Sequence, residues 1–399
     1  MAGRPPGAEA GTRHAAVPFW RDIRVLAVIS QLLVLGGVLL VGGFLLGNLV
    51  TAMDRRGFLP NLGFLSQAAD FEIAEHIIPY EPADTFGTAL LVGLINTLMV
   101  SVVGIVIATL LGLVIGIARL SRNWLVAKLA LAYVELFRNT PLLVQLLVIY
   151  FVVFLRFPPV REAIALPGGI YLSQRGVYMP TAELAPDGPV WLVGLLVTFM
   201  AAAALWVVAG RREAAGRSTL GLRPITVALL IGAPVLSWLA LPSPPLTFVM
   251  PEQGGFNFSG GLKLTPEFGA LTVGLGIYTA AFIAEIIRGG ILAVSKGQRE
   301  AASSIGLSER QVLRLVVLPQ ALRVIIPPLT SQYLNLIKNS SLALVIGYAD
   351  LFNISRTVSE LTGQPVTVIV LVMGVYLVIS LITSLFMNLY NRRVQIHER

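Results

Sequence analysis

The residues able to carry out acid–base, nucleophilic or metal chemistry are few and far apart. There is no cysteine, which removes disulfides and thiolate ligands together. The three histidines, His14, His76 and His397, are widely separated and lie outside the apolar runs, which removes most histidine-based metal or proton-transfer chemistry. No carboxylates cluster at ligand spacing. No Gly-Lys pair occurs anywhere, so the chain lacks the G-x-x-x-x-G-K-[ST] loop that cradles nucleotide phosphates. What remains is a set of polar residues embedded in apolar sequence. Ser331, Asn335 and Lys338 recur at helical spacing with Asn339 beside them, and Tyr278 lies on the helical face of Glu285. Glu285 and Arg288, like Glu135 and Arg138, stand three apart and can pair on a helix, in a gate or interface role as readily as in a ligand role. Such groups are costly inside a membrane and face a protein interior or a water-filled cavity, so they can recognise and pass a solute.

The elements that position these groups must be membrane spans. The chain is 56% hydrophobic and only 13% charged over 399 residues, with a mean hydropathy of +0.80, which places it in the membrane class. Eight stretches are expected to cross, at about 25–50, 89–117, 128–155, 191–209, 225–241, 268–287, 329–348 and 366–389. The first is longer than a signal-peptide core and has no clear cleavage site, so it reads as an uncleaved anchor. The third is interrupted at Asn139-Thr140-Pro141. Residues 51–87, 156–189 and 242–266 read as external loops, the last two rich in proline and glycine, and 1–24 and 391–399 as polar tails. Eight spans put both tails on one side. With the tails inside, 20 of the 29 Lys and Arg residues fall inside and seven outside, while Arg138 and Lys338 lie within spans. That asymmetry predicts cytoplasmic termini, and it attributes the high pI to inner loops such as the Arg211, Arg212, Arg217, Arg223 link.

One polar island stands in the same inner compartment, Ser295 to Pro319. Ser295 and Gln298 can cap a first short helix that carries Glu300-Ala301-Ala302 and closes at Gly306. Ser308 and Gln311 form a capping box for a second, with Leu307 and Val312 placed as its hydrophobic staple. Pro319 is expected to halt that helix, leaving a compact hairpin able to dock as a unit. A DNA-reading helix-turn-helix has the same outline, but Val312 through Leu318 are nearly all apolar and long apolar runs flank the island, so no nucleic acid partner is expected.

Glu300-Ala301-Ala302, Gly306 and Leu318-Pro319 at these spacings resemble the EAA loop of ABC importer membrane subunits, with Val316 where that motif usually has Ile. Phe137 to Gln145, Ala284 to Ile291 and Lys338-Asn339-Ser340-Ser341-Leu342-Ala343 extend the resemblance to the polar amino acid importer branch, the histidine, glutamate, glutamine and arginine permeases. The resemblance covers about 88–390. The extra anchor and loop at 25–87 and the inserted segment at 156–267 are similar to the long permease subunits of general L-amino-acid importers.

The resemblance implies an all-α membrane protein, a type I ABC importer transmembrane domain of about eight helices in the bacterial inner membrane. It implies that Glu300, Ala301, Ala302, Gly306, Leu318 and Pro319 couple the chain to a separate ATPase, which holds the ATP and Mg that this chain does not. It also implies a sibling permease subunit, with a homodimer as the alternative, and a periplasmic amino acid-binding protein. For the substrate path the candidates are Thr140, Gln145, Tyr278, Glu285, Asn335, Lys338, Asn339 and Ser340. Pro141 would free a half-helix N-terminus, capped by Thr140, that suits an α-carboxylate; a kink that packs two helices is the alternative. Lys338, near mid-depth, either meets substrate or is satisfied by carbonyls or Glu285. The competing function is an ion-coupled secondary amino acid carrier, which would call for matched inverted repeats that the sequence does not display.

Overall fold

A computed structural model describes residues 23–55, 61–214 and 221–394. Residues 1–22 and 395–399 of the tails, and Arg217 in the basic link, lie outside the described residues. Among the described residues seven helices are long and apolar enough to cross a membrane, and eight if one bent pair counts as a span.

The chain divides into two units, residues 1–64 and 65–399. The first contributes α1 (Ile23–Arg55). No described side chain of α1 is buried.

The second unit is built on three spans. Its helix α2 (Phe86–Ala118) starts where the Thr85 hydroxyl accepts the Thr88 N–H. A bent pair follows, α3 (Trp124–Asn139) and α4 (Leu142–Val148). After the inserted segment, α7 (Pro266–Leu292) begins with Thr265 capping Phe268 N–H and Pro266 in its first turn, a position where proline loses nothing. The short α8 (Lys296–Ser304) turns at Gly306 into α9 (Glu309–Gln311). A π-helical stretch, Val312–Val317, then leads into α10 (Leu318–Asn339). A 3-10 stretch, Ser340–Ile346, ends that span; α11 (Leu351–Thr362) and α12 (Pro365–Val394) complete the chain.

Spans α2 and α7 approach closely because α2 presents glycines to α7. A Cβ on Gly112 would stand 2.7 Å from Ile283, and one on Gly116 would stand 2.9 Å from the Ala284 carbonyl oxygen. Small residues let membrane helices meet backbone to side chain, where dispersion replaces the missing hydrophobic drive. Leu336 of α10 packs over Gly104 of α2, and Val100, Leu271, Leu275, Ile283, Ile325 and Leu336 form the buried core between the three spans.

Two expectations change. Pro319 does not halt the helix, since Glu309–Ile346 runs as a single 38-residue span. The π-helical stretch just before Pro319 shifts the hydrogen-bond register, which accommodates a residue without N–H. The stretches read as loops at 156–189 and 242–266 are also more than loop. They flank the expected inserted spans, α5 (Gly188–Ala214) and α6 (Leu222–Ala240), which pack on each other with Trp191 edge-on to Trp238 at 5.5 Å. Around them, β1 (Ile164–Leu166), β2 (Ile170–Ser173), β3 (Gly176–Met179) and β8 (Leu262–Leu264) form one antiparallel sheet in the order β1-β2-β3-β8. Two separate two-stranded antiparallel sheets accompany it, β4 (Thr181–Leu184) with β5 (Leu246–Val249) and β6 (Glu252–Gln253) with β7 (Phe258–Ser259). Leu184 pairs with Leu246, so the helical pair leaves and re-enters the β module at one point.

Candidate coupling hairpin and intramembrane polar sites

The hairpin turns at Gly306, whose φ of +87° is a left-handed conformation that a side chain would strain. The Gly306 and Leu307 N–H groups return to the Ser303 and Ala302 carbonyls at 3.0 and 3.3 Å, closing the end of α8. Across the turn, Gln311 Oε1 accepts the Ser308 N–H at 2.9 Å, the expected capping box. Ser295 stands at the first N-cap position but its side chain makes no capping bond. Ala302 is buried, whereas Glu300, Ala301, Gly306 and Ile305 are exposed, Ile305 by 78%. The hairpin is thus held by Ala302 and presents a charged and apolar tip. Arg299 fastens its root, donating from Nη2 to the Ile291 carbonyl of α7 at 2.7 Å.

Spans α3 and α4 bend by 105° at the Asn139–Pro141 break. The break is closed from both sides. Thr140 donates its hydroxyl to the Leu136 carbonyl at 2.7 Å, so it ends α3 and does not cap α4, where Pro141 holds the N-cap position without a side-chain bond. A threonine hydroxyl readily bonds back one turn along the helix it terminates. Gln145 donates from Nε2 to the carbonyls of Phe137 and Thr140, at 2.9 Å each. Both side chains therefore serve the bend itself. The expected Glu135–Arg138 pair is also replaced: Glu135 accepts from Asn139 Nδ2 at 2.8 Å, and the Arg138 guanidinium lies 5.3 Å from the Phe282 ring centre.

Glu285 does pair with Arg288, at 3.0 Å, and gains a second cation that the sequence did not suggest, Arg119 at 2.9 Å from the end of α2. Tyr278 is half-buried, with its ring centre 5.0 Å from that of Phe282. On α10, Ser331, Asn335 and Lys338 lie exposed on one face, Asn339 is half-buried and Ser340 is buried, donating to the Ile337 carbonyl at 2.8 Å. Lys338 makes no ion pair among the described residues, and Glu285 is not its partner. Ile346 lies eight positions beyond Lys338, roughly 12–16 Å of rise.

A polar cluster that the sequence did not reveal occupies the bundle end opposite the hairpin. Glu75, from the loop before α2, accepts the Thr265 hydroxyl at the start of α7. Its backbone carbonyl accepts Asn96 Nδ2 of α2 at 2.8 Å, and the same nitrogen reaches the Ala349 carbonyl at 2.9 Å. Burial pushes the Glu75 carboxyl up to about 7 and that of Asp350, the N-cap of α11, up to about 6. The signal was absent because Glu75 sits in no periodic segment. Among the described residues no group of His, Asp and Glu is placed to hold a metal ion.

A family profile described as "Binding-protein-dependent transport system inner membrane component" matches residues 104–396. The chain is 45% identical over 377 residues to the putative amino-acid ABC transporter permease protein YhdX of Escherichia coli (strain K12), covering 94% of this chain and 95% of that one. It is 42% identical over 380 residues to the general L-amino acid transport system permease protein AapQ of Rhizobium johnstonii, covering 95% and 94%. It is 37% identical over 433 aligned positions to the glutamate/glutamine/aspartate/asparagine transport system permease protein BztB of Rhodobacter capsulatus, covering 100% of both.

Proposed function

Since the chain belongs to the family of binding-protein-dependent transport system inner membrane components and is a multi-pass permease subunit of an ABC importer, we propose that it moves L-amino acids across a bacterial inner membrane when its hairpin is displaced by a separate ATPase. The supporting observation is the hairpin itself, an exposed Glu300-Ala301 surface on a glycine-set turn, rooted in α7 and continuous with α10. A rigid insert joined to two spans converts movement of a docked partner into tilt of those spans. Glu300 offers a carboxylate to a basic groove on the ATPase, and Ile305 offers apolar area. Ala302 fixes the first arm, and Leu318 and Pro319 lie where the second arm merges with the span. ATP and Mg belong to that partner, because this sequence has no phosphate loop.

The solute is an L-amino acid, in keeping with the names of YhdX, AapQ and BztB. An exposed polar face on a membrane span is unstable against lipid. The Ser331, Asn335, Lys338 face of α10 is therefore covered by a second, sibling permease subunit or by the solute path between the two. Lys338 supplies a cation for the α-carboxylate, and Asn335 and Asn339 supply neutral hydrogen bonds; Tyr278 and Ser340 border the same region. A periplasmic amino acid-binding protein delivers the solute at the Glu75 end. The proposal requires the hairpin and both termini to be cytoplasmic.

The test is uptake of labelled amino acids by proteoliposomes that hold the complete complex, with ATP inside and binding protein outside. Glu300→Lys should insert yet hold the ATPase loosely and lose uptake. Wild-type uptake by Glu300→Lys would remove the hairpin from the mechanism.

A further inference from the structure

The hairpin hands its motion to α7 through the Arg299 bond to the Ile291 carbonyl and through only three connecting positions, Ala293 to Ser295. Nothing in the chain's connectivity hands that motion on to α2, which lies on the other side of the α7 seam. The glycine contacts between these spans reach α2 as far as Gly116. Beyond them the helix stops at Ala118, and Arg119 turns to Glu285.

The carboxylate there is divided between two helices. Its Oε2 takes Arg288 Nε at 3.1 Å and Nη2 at 3.0 Å from one turn along α7. With both guanidinium donors gathered on Oε2, Oε1 is left for Arg119 Nη1 across the seam, a charge contact at 2.9 Å without hydrogen-bond geometry. Side-chain exposure is 14% for Arg119 and 20% for Glu285, so water screens the contact only partly. The other ionic link from this end of α2, Arg122 with Glu309 at 3.7 Å, has both side chains more than 90% exposed, a setting in which ion pairs contribute little.

We propose that Arg119, Glu285 and Arg288 form an ionic tie that makes α2 travel with α7 when the hairpin moves, so that these three residues set how much transport each ATP yields. Arg288 positions the carboxylate, Glu285 bridges, and Arg119 anchors α2. The inference rests on the hairpin reading above, but the two fail separately. If the hairpin reading is wrong, Glu300→Lys transports normally. If only the tie is wrong, Glu300→Lys is dead and the tie variants are normal.

The experiment measures import and ATP hydrolysis together in the reconstituted complex. Arg119→Met keeps length and removes charge; Glu285→Gln keeps shape. Both should hydrolyse ATP while import per ATP falls by roughly fivefold or more, the scale of a typical coupling energy. Arg119→Lys should retain most of it. Because the chain has no native cysteine, Arg119→Cys with Glu285→Cys can be joined by a short bis-methanethiosulfonate spacer. The joined pair should recover import per ATP relative to the same preparation before joining, a comparison in which folding and assembly are common to both arms. Unchanged import per ATP in Arg119→Met, a change confined to the apparent KM for the amino acid, or no recovery on joining would each overturn the tie.

Discussion

At Gly306 a single dihedral angle decides the shape of the hairpin. A Cβ there meets nothing within 4 Å, so strain from the φ of +87° is the whole cost of a substitution. Gly306→Ala should cost about 1 kcal/mol locally and slow uptake, and Gly306→Asn should be milder because asparagine tolerates this region; initial uptake rates at matched complex density check both. Glu75 makes a pH-dependent case. Its folded carboxyl ionises near 7, raised chiefly by burial and further by Glu267, with the Thr265 hydrogen bond and Lys263 opposing. A group raised in the folded state is held best below its ordinary range, and the advantage is lost as pH climbs to about 7. Hydrogen exchange across residues 68–85, corrected for intrinsic chemistry, should therefore be slower at about pH 5.5 than at about pH 8, and Glu75→Gln should flatten the difference. Single residues were legible where spacing is local. Glu285 and Arg288 lie three apart and could be paired from sequence; Arg119 comes from a distant helix, and no one-dimensional spacing points to it.

At the level of elements, the α2–α7 seam depends on absent side chains. Gly116→Val would drive carbon into the Ala284 carbonyl and Ile287, and overpacking of this kind costs about 1–3 kcal/mol. A lower melting temperature in detergent is expected for Gly116→Val, and no change for Gly37→Ala in α1, where a Cβ meets nothing within 4 Å. Capping chemistry made the hairpin's turn readable in advance, and Pro141 made the α3–α4 break readable. Pro319 misleads because proline ordinarily ends a helix, whereas the π-helical turn before it absorbs the missing donor. Thr140 misled for a related reason: its hydroxyl had two helix ends to serve, and it serves the one behind it.

Over the whole molecule, the inserted helices behave as an appendage. Ala185 N–H bonds to the Pro245 carbonyl at 3.0 Å and Leu184 pairs with Leu246, so excising residues 188–242 and closing the gap with a short glycine linker should leave the α2–α7–α10 core folded. A single cooperative melt in detergent is the expected result. The apolar spans were visible in composition, and the strands were not, since they run two to four residues among prolines and glycines with no room for a period of two to declare itself. We infer that an external ATPase moves this bundle through its hairpin. The most direct test is amino acid uptake by the purified complex in proteoliposomes, with and without ATP and with and without an imposed ion gradient. Uptake that follows ATP, ignores the gradient and disappears in Glu300→Lys is the predicted result; uptake by this chain that follows the gradient in the absence of nucleotide would contradict it.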